Sequence, residues 1–345
     1  MNFDINKLIR DNIRAMKPYS SARDEFSGEA AVFLDANESP YNTPWNRYPD
    51  PRQLKLKERV SEIKKIPVPN IFLGNGSDEP IDLLFRAFCE PGRDNIVSIN
   101  PTYGMYRVAA DTNNIQVKLV SLDDDFELDA EAVLSAVTDE TKIIFLCSPN
   151  NPSGNALERN HMIQIIEGFD GLVVVDEAYI DFCPEKSLLP LLEQYPNLVI
   201  LQTFSKAWAM AGLRLGMAFA AVEIIGILSR IKYPYNLSVL TQKKGLELLA
   251  DEQKMINWVK IILEERAIMI EILKKYPFVI KVFPTDSNFI LIRVHDPRGI
   301  YQYLVDAKII VRDRSSISLC DGCLRISVGS PKENALLIKA LDSLI

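Results

Sequence analysis

Apolar and polar positions along this 345-residue chain change period several times. Ile5, Leu8, Ile9, Ile13 and Met16 recur at helical spacing, and Pro18 would end that helix. Residues 31–34 form a short apolar run that reads as a strand. Residues 35–51 carry Pro40, Pro44, Pro49 and Pro51, which predicts a long loop, and such loops are often functional. From about Leu54 onward, strand and helix patterns alternate. Continuous runs at 143–147, 172–175, 198–201 and 215–221 are rich in Val, Ile and Leu, as in parallel strands covered on both faces. Ile81, Leu84, Phe85 and Phe88 mark one intervening helix. Past Leu246 a long helical stretch runs through Ile256, Ile262, Ala267 and Ile270. The tail reads as strands at 289–294 and 324–328 with helices at 299–307 and 332–344.

This pattern predicts an α/β protein: a large domain with a mainly parallel sheet flanked by helices, plus a smaller α+β domain. The expected boundaries are 48–250 for the large domain and 251–345 for the small one, with 1–47 packing against the small domain. A length near two typical domains agrees. No internal repeat or low-complexity tract interrupts it.

Composition narrows the function. The chain has 39 Lys and Arg against 46 Asp and Glu, a net charge of −7. Nucleic-acid binding through bulk charge would need clustered cations instead. No run of about 18 apolar residues predicts a membrane span. The opening residues carry Asp4 and no apolar core of a secretory signal, so a cytoplasmic setting is expected. Five Cys are too sparse for a disulfide framework. Cys320 and Cys323 form a lone C-x-x-C, and a zinc site would have only His161 and His295 to add. Reduced thiols and no metal are the expectation.

Chemistry is expected beyond the carboxyl ends of the parallel strands, where open sheets bind ligands. Three strand ends lead into Ser148-Pro149-Asn150-Asn151-Pro152-Ser153-Gly154, Asp176-Glu177-Ala178-Tyr179 and Gln202-Thr203-Phe204-Ser205-Lys206. Taken singly, each has a bland reading. Asn-Asn-Pro is an ordinary turn, Asp176 an ordinary cap and Lys206 an ordinary surface lysine. Taken together, an amine among apolar neighbours facing a carboxylate fits pyridoxal phosphate chemistry, with an acid at the ring nitrogen.

A phosphate needs donors, and Gly74-Asn75-Gly76-Ser77-Asp78-Glu79 opens the helix that holds Ile81. Glu79 stands where a dinucleotide fingerprint would need its third Gly, which disfavours a nucleotide-dependent oxidoreductase. Arg214 can add a planar guanidinium to the phosphate. A cofactor-free binding protein is disfavoured by Lys206 and Asp176 occurring together.

These strings, with Thr203-Phe204-Ser205-Lys206 running on to Gly212-Leu213-Arg214, resemble the fold type I pyridoxal-phosphate aminotransferases. Further motifs resemble, within them, the histidinol-phosphate aminotransferase family. They are Lys17-Pro18-Tyr19, Asp35-Ala36-Asn37-Glu38, Asn46-Arg47-Tyr48-Pro49-Asp50 and Leu324-Arg325-Ile326-Ser327-Val328-Gly329. The resemblance implies pyridoxal 5'-phosphate as cofactor and Lys206 as the Schiff-base lysine and proton shuttle. It implies Asp176 at the ring nitrogen, Asn151 and Tyr179 at the ring oxygen, and Tyr103 stacked on the ring. Gly76, Ser77, Asp78, Ser205 and Arg214 would hold the phosphate. Tyr48 would reach it from a second copy, which implies a homodimer. Arg325 would bind the carboxylate of glutamate or 2-oxoglutarate, and Arg312 and Arg325, helped by Tyr19 and Asn37, the phosphate of histidinol phosphate. Aromatic amino-acid transamination, or decarboxylation on a similar fold, is the alternative.

Overall fold

The computed structural model describes residues 3–17 and 32–345. Seven strands make the larger sheet: β1 (Ile71–Asn75), β2 (Asn95–Asn100), β3 (Gln116–Ser121), β4 (Thr141–Cys147), β5 (Leu172–Asp176), β6 (Leu198–Thr203) and β7 (Leu215–Phe219). Their spatial order is β1-β7-β6-β5-β4-β2-β3. Side-chain alternation sends Ile144, Leu146, Val173, Val175 and Ile200 to one core and Ile143, Phe145, Leu172, Val174 and Val199 to the other. With both faces covered by helices, consecutive residues are all buried, which explains the unbroken apolar runs. Each such side chain contributes roughly 1.5–3 kcal/mol on burial.

The run at 215–221, expected to be a parallel strand, is shorter and runs the other way. β7 pairs antiparallel with both β1 and β6. Gly216 is what lets it pass, because a Cβ there would lie 2.2 Å from the Gly76 carbonyl carbon.

Four further strands, β8 (Val279–Val282), β9 (Phe289–Val294), β10 (Arg312–Asp313) and β11 (Cys323–Ser327), form an antiparallel sheet in the order β10-β11-β9-β8. β9 joins the two cores. Its Phe289 and Leu291 pack with the large-sheet cluster, while Ile290 and Ile292 pack with the tail helices. The helix Glu252–Leu273 spans the same boundary, with Ile262 and Leu263 against the first core and Met269 and Leu273 in the tail core.

The amino-terminal pattern resolves differently from its expectation. One helix over 5–16 is replaced by two short ones, Ile5–Leu8 and Asp11–Ala15. Between them the Arg10 N–H donates to Ala87 O at 3.0 Å and the Arg10 guanidinium pairs with Glu90 at 3.0 Å. That anchoring breaks the helix. Ile9 is buried with Phe85 and Phe88, and Phe3, Ile5, Leu8 and Ile13 pack against the same cluster, on the large sheet rather than the small one. Residues 32–34 form no strand. Val32, Phe33 and Leu34 are exposed.

Candidate active site

Parallel register brings three strand ends level. Cys147 on β4 lies beside Asp176 on β5, and Asp176 beside Leu201 on β6. The loops that follow line one cavity. Ser77, Asp78, Tyr103, Asn151, Asp176, Tyr179, Ser205, Lys206 and Arg214 all contribute to its wall. The sequence expectation named every one of these.

Asp176 sits on the floor and is 1% exposed. The Tyr106 hydroxyl donates to Asp176 Oδ2 at 2.7 Å and the Ala178 N–H to Oδ1 at 3.1 Å. Burial outweighs these bonds and raises its pKa to about 6. Tyr179 is buried against Phe289, ring edge to face at 5.2 Å. Lys206 Nζ lies 5.5 Å from the Tyr179 ring centre. Lys206 is exposed to the open cavity, yet the surrounding walls desolvate its ammonium. That desolvation lowers its pKa, with Arg325 and Arg214 acting in the same direction and Asp176 against them.

Gly76 adopts φ +69°, a region that favours glycine. A Cβ there would lie 2.6 Å from an Arg214 nitrogen. The Gly76 N–H donates to Arg214 O at 2.7 Å, which fixes the arginine's backbone beside the loop. The helix Asp78–Phe88 starts here, and the Ser77 side chain does not cap it. Its first N–H groups therefore have no side-chain acceptor from Ser77. Arg214 Nη2 bonds Asp78 Oδ2 at 3.1 Å, and the Tyr103 hydroxyl donates to Asp78 Oδ1 at 3.1 Å.

The small sheet touches the lining residue Asn151. Arg325 on β11 donates to Asn151 Oδ1 and lies 5.1 Å over the Phe289 ring. Asn150 instead is buried structure: its amide donates to Pro101 O at 3.0 Å and Ser153 Oγ at 2.9 Å.

Other expected residues lie elsewhere. Arg312 is opposite Arg325 on β10 and exposed. Tyr48 stacks on Tyr235 at 4.4 Å and, with Asn37, lines a separate groove of its own chain. Tyr19 lies outside the described residues. Sequence reasoning missed Tyr106, which bonds the buried carboxylate. Among the described residues no His, Cys, Asp and Glu cluster could hold a metal. Cys320 and Cys323 are buried free thiols.

The set could hold a flat heterocycle bearing a phosphate. A carboxylate as buried as Asp176 gains from a facing cation, such as a protonated pyridine nitrogen. The Gly76 turn, the uncapped helix start, Ser205 and Arg214 converge as anion donors.

A profile of the family described as aminotransferase class I and II matches residues 30–341. A histidinol-phosphate aminotransferase of Parabacteroides distasonis is 56% identical over 99% of both chains. The crystal structure of the Clostridium acetobutylicum histidinol-phosphate aminotransferase superposes with a TM-score of 0.80 at 26% identity, over 87% of this chain and 91% of that one. That of the Sinorhizobium meliloti enzyme, in complex with pyridoxal-5'-phosphate, gives 0.79 at 23% identity over 88% and 85%, a likeness of fold. This chain belongs to the class I and II aminotransferase family.

Proposed function

We propose that this chain interconverts L-histidinol phosphate plus 2-oxoglutarate with imidazole acetol phosphate plus L-glutamate, in L-histidine biosynthesis. The supporting observation is the cavity lined by Lys206 and Asp176, with Arg325 hydrogen-bonded to its lining residue Asn151. Pyridoxal phosphate, when bound, supplies the electron sink for the bond broken at the substrate Cα.

The chain's own residues do the rest. Asp176 holds a proton at the ring nitrogen, and Tyr106 and Ala178 hold Asp176 in place. Asn151 and Tyr179 bind the ring oxygen, and Tyr103 covers the ring face. Gly76, Ser77, Asp78, Ser205 and Arg214 bind the phosphate. Lys206 Nζ takes the proton from the substrate Cα, and its lowered pKa favours the free amine that this requires. Arg325 binds the carboxylate of glutamate, and Arg312 and Arg325 the substrate phosphate, since a planar guanidinium suits both anions. The amino group is held by the enzyme between two half-reactions, so the kinetics should be ping-pong.

A homodimer is part of this reading, with Tyr48 of one copy reaching the phosphate site of the other. Tyr41, Trp45, Tyr48 and Leu240 are exposed apolar groups that a second copy would cover. We place the enzyme in the cytoplasm. No described helix is long and apolar enough to cross a membrane.

Purified enzyme given glutamate and imidazole acetol phosphate should form histidinol phosphate. No product would overturn the substrate assignment. Preferred turnover of phenylalanine or tyrosine would assign an aromatic aminotransferase instead, and carbon dioxide release a decarboxylase.

A further inference from the structure

Arg314 follows β10 directly, two residues beyond Arg312. Its N–H donates to Cys323 O at 2.8 Å, which extends the β10–β11 ladder by one rung. Residues two apart on a strand share a face. Arg312 pairs opposite Arg325 in the register. The ladder therefore lines up Arg312 and Arg314 on the sheet face that carries Arg325.

Three cations so placed repel one another. Among the described residues none of them forms an ion pair with a carboxylate, whereas Arg214 pairs with Asp78. Arg314 is half-buried, and its Nε is shielded from water with no hydrogen-bond partner. A buried donor left unmade is costly, and so is uncompensated like charge. Burial together with Arg325 and Arg312 lowers the Arg314 pKa to about 10, so it stays charged at neutral pH.

We infer that Arg314 is a third arginine of the substrate anion site, one that sets preference for a phosphate ester over a carboxylate. A phosphate monoester carries nearly two negative charges at pH 7 and three acceptor oxygens. A carboxylate carries one charge and is served by a single bidentate guanidinium. Arg314 is surplus for glutamate and useful for a phosphorylated amine. The inference rests on the proposed function and narrows it to one residue.

The test uses the holoenzyme and the variants Arg314→Gln and Arg314→Lys, with the glutamate half-reaction as internal reference. Arg314→Gln should lower kcat/KM for histidinol phosphate about 10- to 100-fold, mainly through KM, and that for glutamate less than about 3-fold. Arg314→Lys should recover part of the loss, because it keeps the charge but not the fork. Inorganic phosphate should inhibit the wild-type glutamate half-reaction and inhibit Arg314→Gln about 10-fold less well. Equal losses on both substrates would mark a structural role and overturn the assignment. So would phosphate inhibition that is absent in the wild type or unchanged in Arg314→Gln. If the wild type does not use histidinol phosphate, the proposed function fails, and the phosphate inhibition still decides the role of Arg314.

Discussion

The Tyr106 hydroxyl donates to Asp176 Oδ2 across 2.7 Å, within the buried floor of the cavity. The phenol is pinned by stacking on Phe145, ring centres 4.8 Å apart, and by the edge of Tyr103 at 5.5 Å. A rigid donor of this kind selects one orientation of the carboxylate. It also favours the charged form, so it opposes the burial that pushes Asp176 up to about 6.

Tyr106→Phe removes that donor and leaves the packing. The Asp176 pKa should rise further, since one of the hydrogen bonds that lower it is gone. Cofactor binding to the cofactor-free protein, followed against pH, should then lose its acid limb at a higher pH than in the wild type. Hydrogen bonds to charged groups are worth about 1.5–3 kcal/mol, so affinity near neutral pH should fall roughly 10-fold or more. An acid limb that stays in place would show that Tyr106 does not tune Asp176.

Lys206→Ala should retain pyridoxal phosphate without covalent attachment and lose transamination by at least about 100- to 10,000-fold, the range of a positioned proton-transfer group. In the wild type, borohydride reduction followed by mass spectrometry should place the label on the peptide carrying Lys206. A label on another lysine, or undiminished turnover in the variant, would remove Lys206 from its role.

Gly76→Ala tests the phosphate loop without touching a polar side chain. The positive φ costs roughly 1–2 kcal/mol for any residue with a Cβ. The added methyl also meets the Arg214 guanidinium, which must move away. Cofactor affinity should drop by about 10-fold or more while the fold persists. Unchanged affinity, measured by fluorescence titration of the cofactor-free protein, would mean that the turn does not position Arg214.

The parallel strands were legible because both of their faces are covered and their residues are uniformly apolar. Direction was not legible for the same reason. β7 is as buried as β6, and nothing in its composition says that it runs antiparallel. The three loops of the site could be read because polar groups follow buried strands abruptly. Tyr106 could not, since an aromatic at helical spacing reads as core, and by exposure it is core at 1%. Arg314 was hidden because β10 is only two residues long and leaves no periodic trace. The break in the first helix depends on Glu90 and Ala87, far along the chain, so no local pattern announces it.

Glu177 lies beside Asp176 and is 2% exposed, yet it faces away into structure. It accepts from the Leu188 N–H at 2.7 Å, Ser187 Oγ at 2.8 Å and Gln202 Nε2 at 2.8 Å. Burial nonetheless raises its pKa to about 7 from an ordinary 4.5. The folded protein thus holds this proton at pH values where the unfolded chain has released it. Stability from this group is complete below about pH 4.5 and is lost as pH rises toward 7. The full loss is about 3 kcal/mol at 1.36 kcal/mol per unit. Glu177→Gln removes the titration. Urea unfolding of wild type and variant at pH 5 and pH 8 should therefore show the variant gaining about 2.5 kcal/mol relative to wild type between the two. Parallel pH dependence in the two proteins would mean that Glu177 is charged and fully compensated in the fold.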